Sequence, residues 1–84
     1  MKIHYLKIWP DYFDLIYRGE KTFELRKNDR DFKKGDLLIL REFIIDTCEY
    51  TGEEITCEVT YITNGPSFGL QEGFCCMGIK PRFI

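Results

Sequence analysis

The chain has 84 residues, 44% of them hydrophobic and 15% aromatic, which suits one small folded domain and excludes wholesale disorder. A net charge of −2 argues against a protein that is basic throughout and holds nucleic acid by bulk charge. No apolar run approaches the roughly 18 residues of a membrane span. The opening MKIHYLKIWPDY lacks the apolar stretch and small-residue cleavage site of a signal peptide, so a cytoplasmic location is the default expectation.

Residues 2–8, KIHYLKI, alternate and predict a strand with His4, Leu6 and Ile8 on one face and Ile3, Tyr5 and Lys7 on the other. Pro10 suits the first turn of a helix, where its missing N–H costs nothing, and Asp11 favours the positive end of the helix dipole. Phe13, Ile16 and Tyr17 then form one apolar stripe. Arg18 suits the last turn, and Gly19 can take the left-handed cap that ends the helix. Residues 22–28 predict a second strand, with Phe23, Leu25 and the Lys27 stem as apolar anchors and Glu24, Arg26 and Asn28 free to carry polarity on the other face.

A loop ending in Lys34-Gly35-Asp36 leads to LLILREFI, apolar on both faces at its start and so expected to be a central strand. DTCEYTG reads as a loop. The next segment, residues 54–63, alternates, with Ile55, Cys57, Val59 and Tyr61 expected inward. NGPSFGLQEG is a long glycine-rich loop, and GFCCMGI closes as a last strand. The order β-α-β-β-β-β predicts a single α+β domain over residues 1–84. It is mainly β, a strongly bent sheet or barrel of about five strands with the early helix packed against it.

Charge is unevenly spread. Residues 18–36 hold seven basic and five acidic side chains, a local +2, while the remainder sums to −4. A mixed-sign run is usually a solvated face, but this one can also make a basic patch on an acidic body. The four cysteines form no C-x-x-C, and the single histidine, His4, is distant in sequence. Free thiols and no metal site are therefore expected. His4 reads as a hydrogen-bonded core residue.

The spacing G-x-K-x-x-E-x-R occurs at Gly19, Lys21, Glu24 and Arg26, at a helix-to-strand junction. It resembles the signature of the ASCH domain, the activating-signal-cointegrator homology family of the PUA-like superfamily. Residues 26–30 (RKNDR), the K-x-G-D turn at residues 33–36, the FGLQEG loop at residues 68–73, His4-Tyr5-Leu6-Lys7 and the Pro10 helix start extend the resemblance over nearly the whole chain, toward a compact bacterial and phage branch. The resemblance implies a PUA-like pseudo-barrel and an RNA or nucleotide-like ligand held in a cleft between the early helix and the sheet. It implies no cofactor, and a monomer is the default.

Glu24 and Arg26 share a strand face. They can be a structural ion pair or a contact in which Glu24 orients Arg26 toward phosphate or a base edge; the resemblance favours the contact. Lys21 is a cationic contact, or the catalytic base in the family's amidohydrolase members, which act on acylated cytidine. Those members carry Thr where this chain has Glu24, and a carboxylate beside Lys21 suits binding better than proton abstraction. Lys27, Asn28 and Arg30 are candidate ligand contacts. Gln71 and Glu72 lie in a loop able to cover the cleft, and Glu72 is the second carboxylate if chemistry occurs. Binding of RNA or a nucleotide-like molecule is the leading expectation. A nucleoside amidohydrolase using Lys21, Glu24 and Glu72, and a phage or host accessory module that binds another protein, are the alternatives.

Overall fold

The computed structural model describes residues 1–83 and has six elements. They are β1 (Ile3–Ile8), α1 (Pro10–Tyr17), β2 (Phe23–Lys27), β3 (Leu37–Ile44), β4 (Glu49–Asn64) and β5 (Phe74–Pro81). The strands form one sheet in the order β1-β3-β4-β5-β2. β1 runs parallel to β3, and all other neighbours are antiparallel. The mainly-β, single-helix α+β fold read from the sequence is therefore the fold observed, as a five-stranded sheet curled into a half-barrel.

The curl follows from which faces are apolar. Leu6 and Ile8 of β1, Leu38 and Leu40 of β3, Ile55, Cys57 and Val59 of β4, and Cys75, Met77 and Ile79 of β5 all point to the concave side and are buried. Ile16 of α1 and Phe32 of the β2–β3 loop complete the same cluster. α1 starts at Pro10 and ends with Arg18 as its cap. Gly19, at φ +77°, turns the chain away from it, a conformation glycine adopts without steric penalty. Of the expected helix stripe, Ile16 is fully buried and Phe13 packs against the core, but Tyr17 is exposed, with its ring edge-on to that of Phe83.

Two further face assignments are reversed. In β2 the buried residue is Glu24, at 5% exposure, while Phe23 and Leu25 are 43% and 54% exposed. The charged face of this strand looks into the barrel and the apolar face looks out. In β4, Tyr61 is exposed because a bulge between Val59 and Tyr61 shifts the register against β5, so strict alternation ends there. Residues 49–52, expected as loop, extend β4 into a hairpin with β3, pairing Phe43 with Tyr50.

The four cysteines are free thiols. Burial beside Glu24 pushes the Cys57 thiol up to about 12, so it is an unreactive core group. No group of metal-ligating side chains occurs among the described residues. The described helix is too short and polar to cross a membrane.

Candidate functional site

β1 and β2 are the two edges of the sheet, and the helix that links them brings the edges face to face. Carbonyls of a strand alternate in direction, so when β1 bonds to β3 the carbonyls of Tyr5 and Lys7 are left on its free edge. Arg26 Nη2 donates to Lys7 O at 2.7 Å, and Arg30 Nη1 donates to Tyr5 O at 2.8 Å. Two guanidiniums thus bridge the seam that no backbone ladder closes.

Arg26 is held from behind by Glu24. Its Nε donates to Glu24 Oε2 at 2.7 Å, and Lys21 Nζ donates to Glu24 Oε1 at 3.0 Å and to Phe23 O at 2.8 Å. Lys21 also lies over the rings of Tyr12 and Phe23, 5.4 and 4.7 Å from their centroids. The signature residues Lys21, Glu24 and Arg26 therefore form one connected unit. A buried carboxylate with both oxygens engaged by cations is compensated, and it fixes the direction of Arg26.

Along the seam lies a cleft of about 310 Å³. Its walls are Tyr5 and Lys7 of β1, Arg26 of β2, Arg30, Arg41 of β3 and Tyr50 of β4, together with Leu6. Four of these seven are cationic, and none is a carboxylate. Arg41 stands directly across from Lys7 in the β1–β3 register, and its guanidinium lies 4.1 Å from the Tyr50 ring centroid. No residue of α1 lines this cleft, so it sits round the seam from the helix–sheet junction where the sequence reading placed the ligand.

The remaining candidates have other positions. Asn28 is spent on structure: its Nδ2 donates to Asn64 Oδ1 and its Oδ1 accepts from Phe32 N–H, both at 2.9 Å. Lys27 is exposed at the end of β2. Gln71 and Glu72 are exposed and do not line the cleft. Their loop instead borders a second depression, where Phe68 and Leu70 face Leu25 and Cys76. Lys7, Arg41 and Tyr50 were not singled out from sequence. For Lys7 and Arg41 the one signal is outward parity on β1 and β3, which gains meaning only once the two strands are known to be neighbours; Tyr50 falls in a stretch that reads as a loop and gives none.

Fold and site together define a small half-barrel domain with a cationic seam. The chain belongs to the family described as a domain of unknown function, DUF3850, which it matches over residues 3–79. It is 40% identical over 63 residues to an uncharacterized 12.9 kDa protein in the GpA 3′ region of Escherichia phage P2. That match covers 75% of this chain and 56% of the phage protein, so the chain spans about half the length of its relative. The fold is similar to the crystal structure of hypothetical protein PH0355, with a TM-score of 0.69 over 98% of this chain and 100% of that one, at 20% identity.

Proposed function

We propose that this chain is a binding module for a nucleotide or RNA, and that the ligand's phosphate lies in the seam cleft against Arg26 and Arg30. The observation that carries the reading is the charge of the lining: four cations and no carboxylate on a protein whose net charge is −2. A guanidinium has five N–H donors. Arg26 commits two donor atoms to Glu24 and Lys7 O, and Arg30 commits one to Tyr5 O, so both keep donors for phosphate oxygens. Tyr5 and Tyr50 supply ring faces for a base. The resemblance to the ASCH domain implies a ligand of the same class. Lys21 and Glu24 act here as positioning residues, since Lys21 gives its donors to Glu24 and Phe23 O rather than to the cleft.

The test is calorimetric titration of uridine monophosphate and oligouridylate into the wild type and three variants. Arg30→Gln should weaken binding by about 1.5–3 kcal/mol, the range for a hydrogen bond to a charged group. Lys21→Ala should weaken it less, acting only through Glu24. Lys33→Ala, whose partner is the exposed Asp31 on an outer turn, should leave it unchanged. Equal binding by all variants would overturn the reading. Turnover of acylated cytidine, lost in Lys21→Ala, would replace it with the hydrolase.

A further inference from the structure

The cleft does not end at Tyr50. On the convex face of β1, β3 and β4, the Phe43 and Tyr50 rings pack edge to face with centroids 5.0 Å apart and planes at 66°. Lys7 Nζ lies 4.4 Å from the Phe43 centroid, and the Arg41 guanidinium lies 4.1 Å from the Tyr50 centroid. Two cations therefore alternate with two rings on a pleated surface that leads straight out of the cleft. Lys7 and Arg41 stand opposite each other across the β1–β3 ladder, and Phe43 and Tyr50 across the β3–β4 ladder. Across the bulge between Arg41 and Phe43 the pairing advances two positions on β3 and four on β4, both even, so the four side chains stay on one face. The carboxylates on that face have partners: Glu54 lies 3.6 Å from Arg41, and Glu58 is engaged by Arg82.

We infer that the ligand is a single-stranded oligonucleotide rather than a free nucleotide. One nucleotide fills the seam cleft, and the adjoining base lies on the Phe43–Tyr50 ledge with its phosphate between Lys7 and Arg41. The inference rests on the binding reading above and deepens it. A strand alternates charge and ring at every nucleotide, and so does this surface. A mononucleotide has one base and one phosphate group, and it would leave the Phe43 end of the ledge uncovered. Duplex is excluded as the ligand, because its base faces are already stacked and cannot reach a ring. Stacking on an aromatic ring accepts any base, so the ledge adds affinity with little sequence preference.

The experiment is a length series, uridine monophosphate and the di-, tri- and hexanucleotide, titrated by fluorescence at two salt concentrations, with a self-complementary RNA duplex alongside. Affinity should rise about tenfold or more from mononucleotide to hexanucleotide, as one added stacked base provides. Phe43→Leu keeps the apolar bulk and removes the ring, and it should lower the ratio of hexanucleotide to mononucleotide affinity about tenfold. Arg41→Gln should make the salt dependence of hexanucleotide binding shallower by about 0.7 in the log–log slope. A hexanucleotide that binds no tighter than the mononucleotide, a duplex that binds as well as the single strand, or an unchanged ratio in Phe43→Leu would overturn the strand inference while leaving the cleft standing. Hexanucleotide binding that is indifferent to Arg30→Gln would overturn the cleft reading itself. Failure of both mononucleotide and hexanucleotide to bind the wild type would overturn the two together.

Discussion

Asp36 shows how this small domain tolerates a carboxylate in its interior. Burial favours the neutral acid. Hydrogen bonds from His4, from the Lys2 N–H and from the Lys33 N–H outweigh it together and hold the carboxyl below its ordinary value. The distances are 3.0 Å from Lys2 N to Oδ1, and 2.9 and 3.0 Å from His4 Nε2 and Lys33 N to Oδ2. Every contact is a donor, so the group works as an anion that ties β1 to the turn before β3. In Asp36→Asn, whichever way the amide lies, its NH₂ faces at least one donor. That change should cost about 2–3 kcal/mol. The sign with pH follows from the lowered value. Asp36 contributes fully above the ordinary carboxyl value of 3.8, and its contribution fades as pH falls through the lower folded one. The stability gap between wild type and Asp36→Asn, measured by urea unfolding, should therefore narrow as pH falls from about 5 toward about 3. A gap that does not depend on pH would show that the charge of Asp36 is not what stabilises the fold.

At the scale of elements, β2 shows where sequence reasoning held and where it failed. Its existence was legible and its bounds to within a residue, because alternation over residues 22–28 after a helix-stopping glycine reads as a strand, observed as Phe23–Lys27. Which face is buried was not. Hydrophobic parity sends charge to water, but here Lys21 and Arg26 neutralise Glu24, so the polar face can turn inward. β1 kept its predicted faces, with His4, Leu6 and Ile8 buried, because its one inward polar residue, His4, meets Asp36 and shares the face that the apolar residues already turn inward. Tyr61 was misplaced for a local reason, the bulge beside it. Lys7 and Arg41 were missed for a global one, since the β1–β3 pairing joins segments separated by a helix and another strand, and Tyr50 because its segment reads as a loop and pairs with β3 only in the fold. A substitution settles the β2 assignment. Leu25→Lys should change stability by less than about 1 kcal/mol, since an exposed stem can lie along the sheet. Were Leu25 the core anchor that parity predicts, burying a lysine there would cost several kcal/mol. Thermal unfolding distinguishes the two.

At the scale of the molecule, the question is how a five-stranded sheet with two open edges stays shut. Closed barrels remove their edges by backbone pairing, whereas this half-barrel joins its edges with side chains. The two bridging arginines should not be equivalent. Arg30 gives one hydrogen bond to Tyr5 O at the surface, where water can replace it, so Arg30→Ala should cost about 1 kcal/mol. Arg26 bonds Lys7 O and is also a partner of the buried Glu24. Its removal leaves that carboxylate with Lys21 alone and should cost about 3 kcal/mol. In a domain of this size those losses correspond to melting shifts of roughly 4–8 °C and 12–24 °C. The location of the loss is the sharper test. β1 is held by β3 on one side and by the arginines on the other, so loosening the seam should raise amide hydrogen exchange in β1 before it does in β4 and β5. Arg30→Ala should therefore lower protection in β1 and leave the centre of the sheet near wild type. A uniform loss across all five strands would mean that the arginine acts on global stability and that the seam is closed by other contacts.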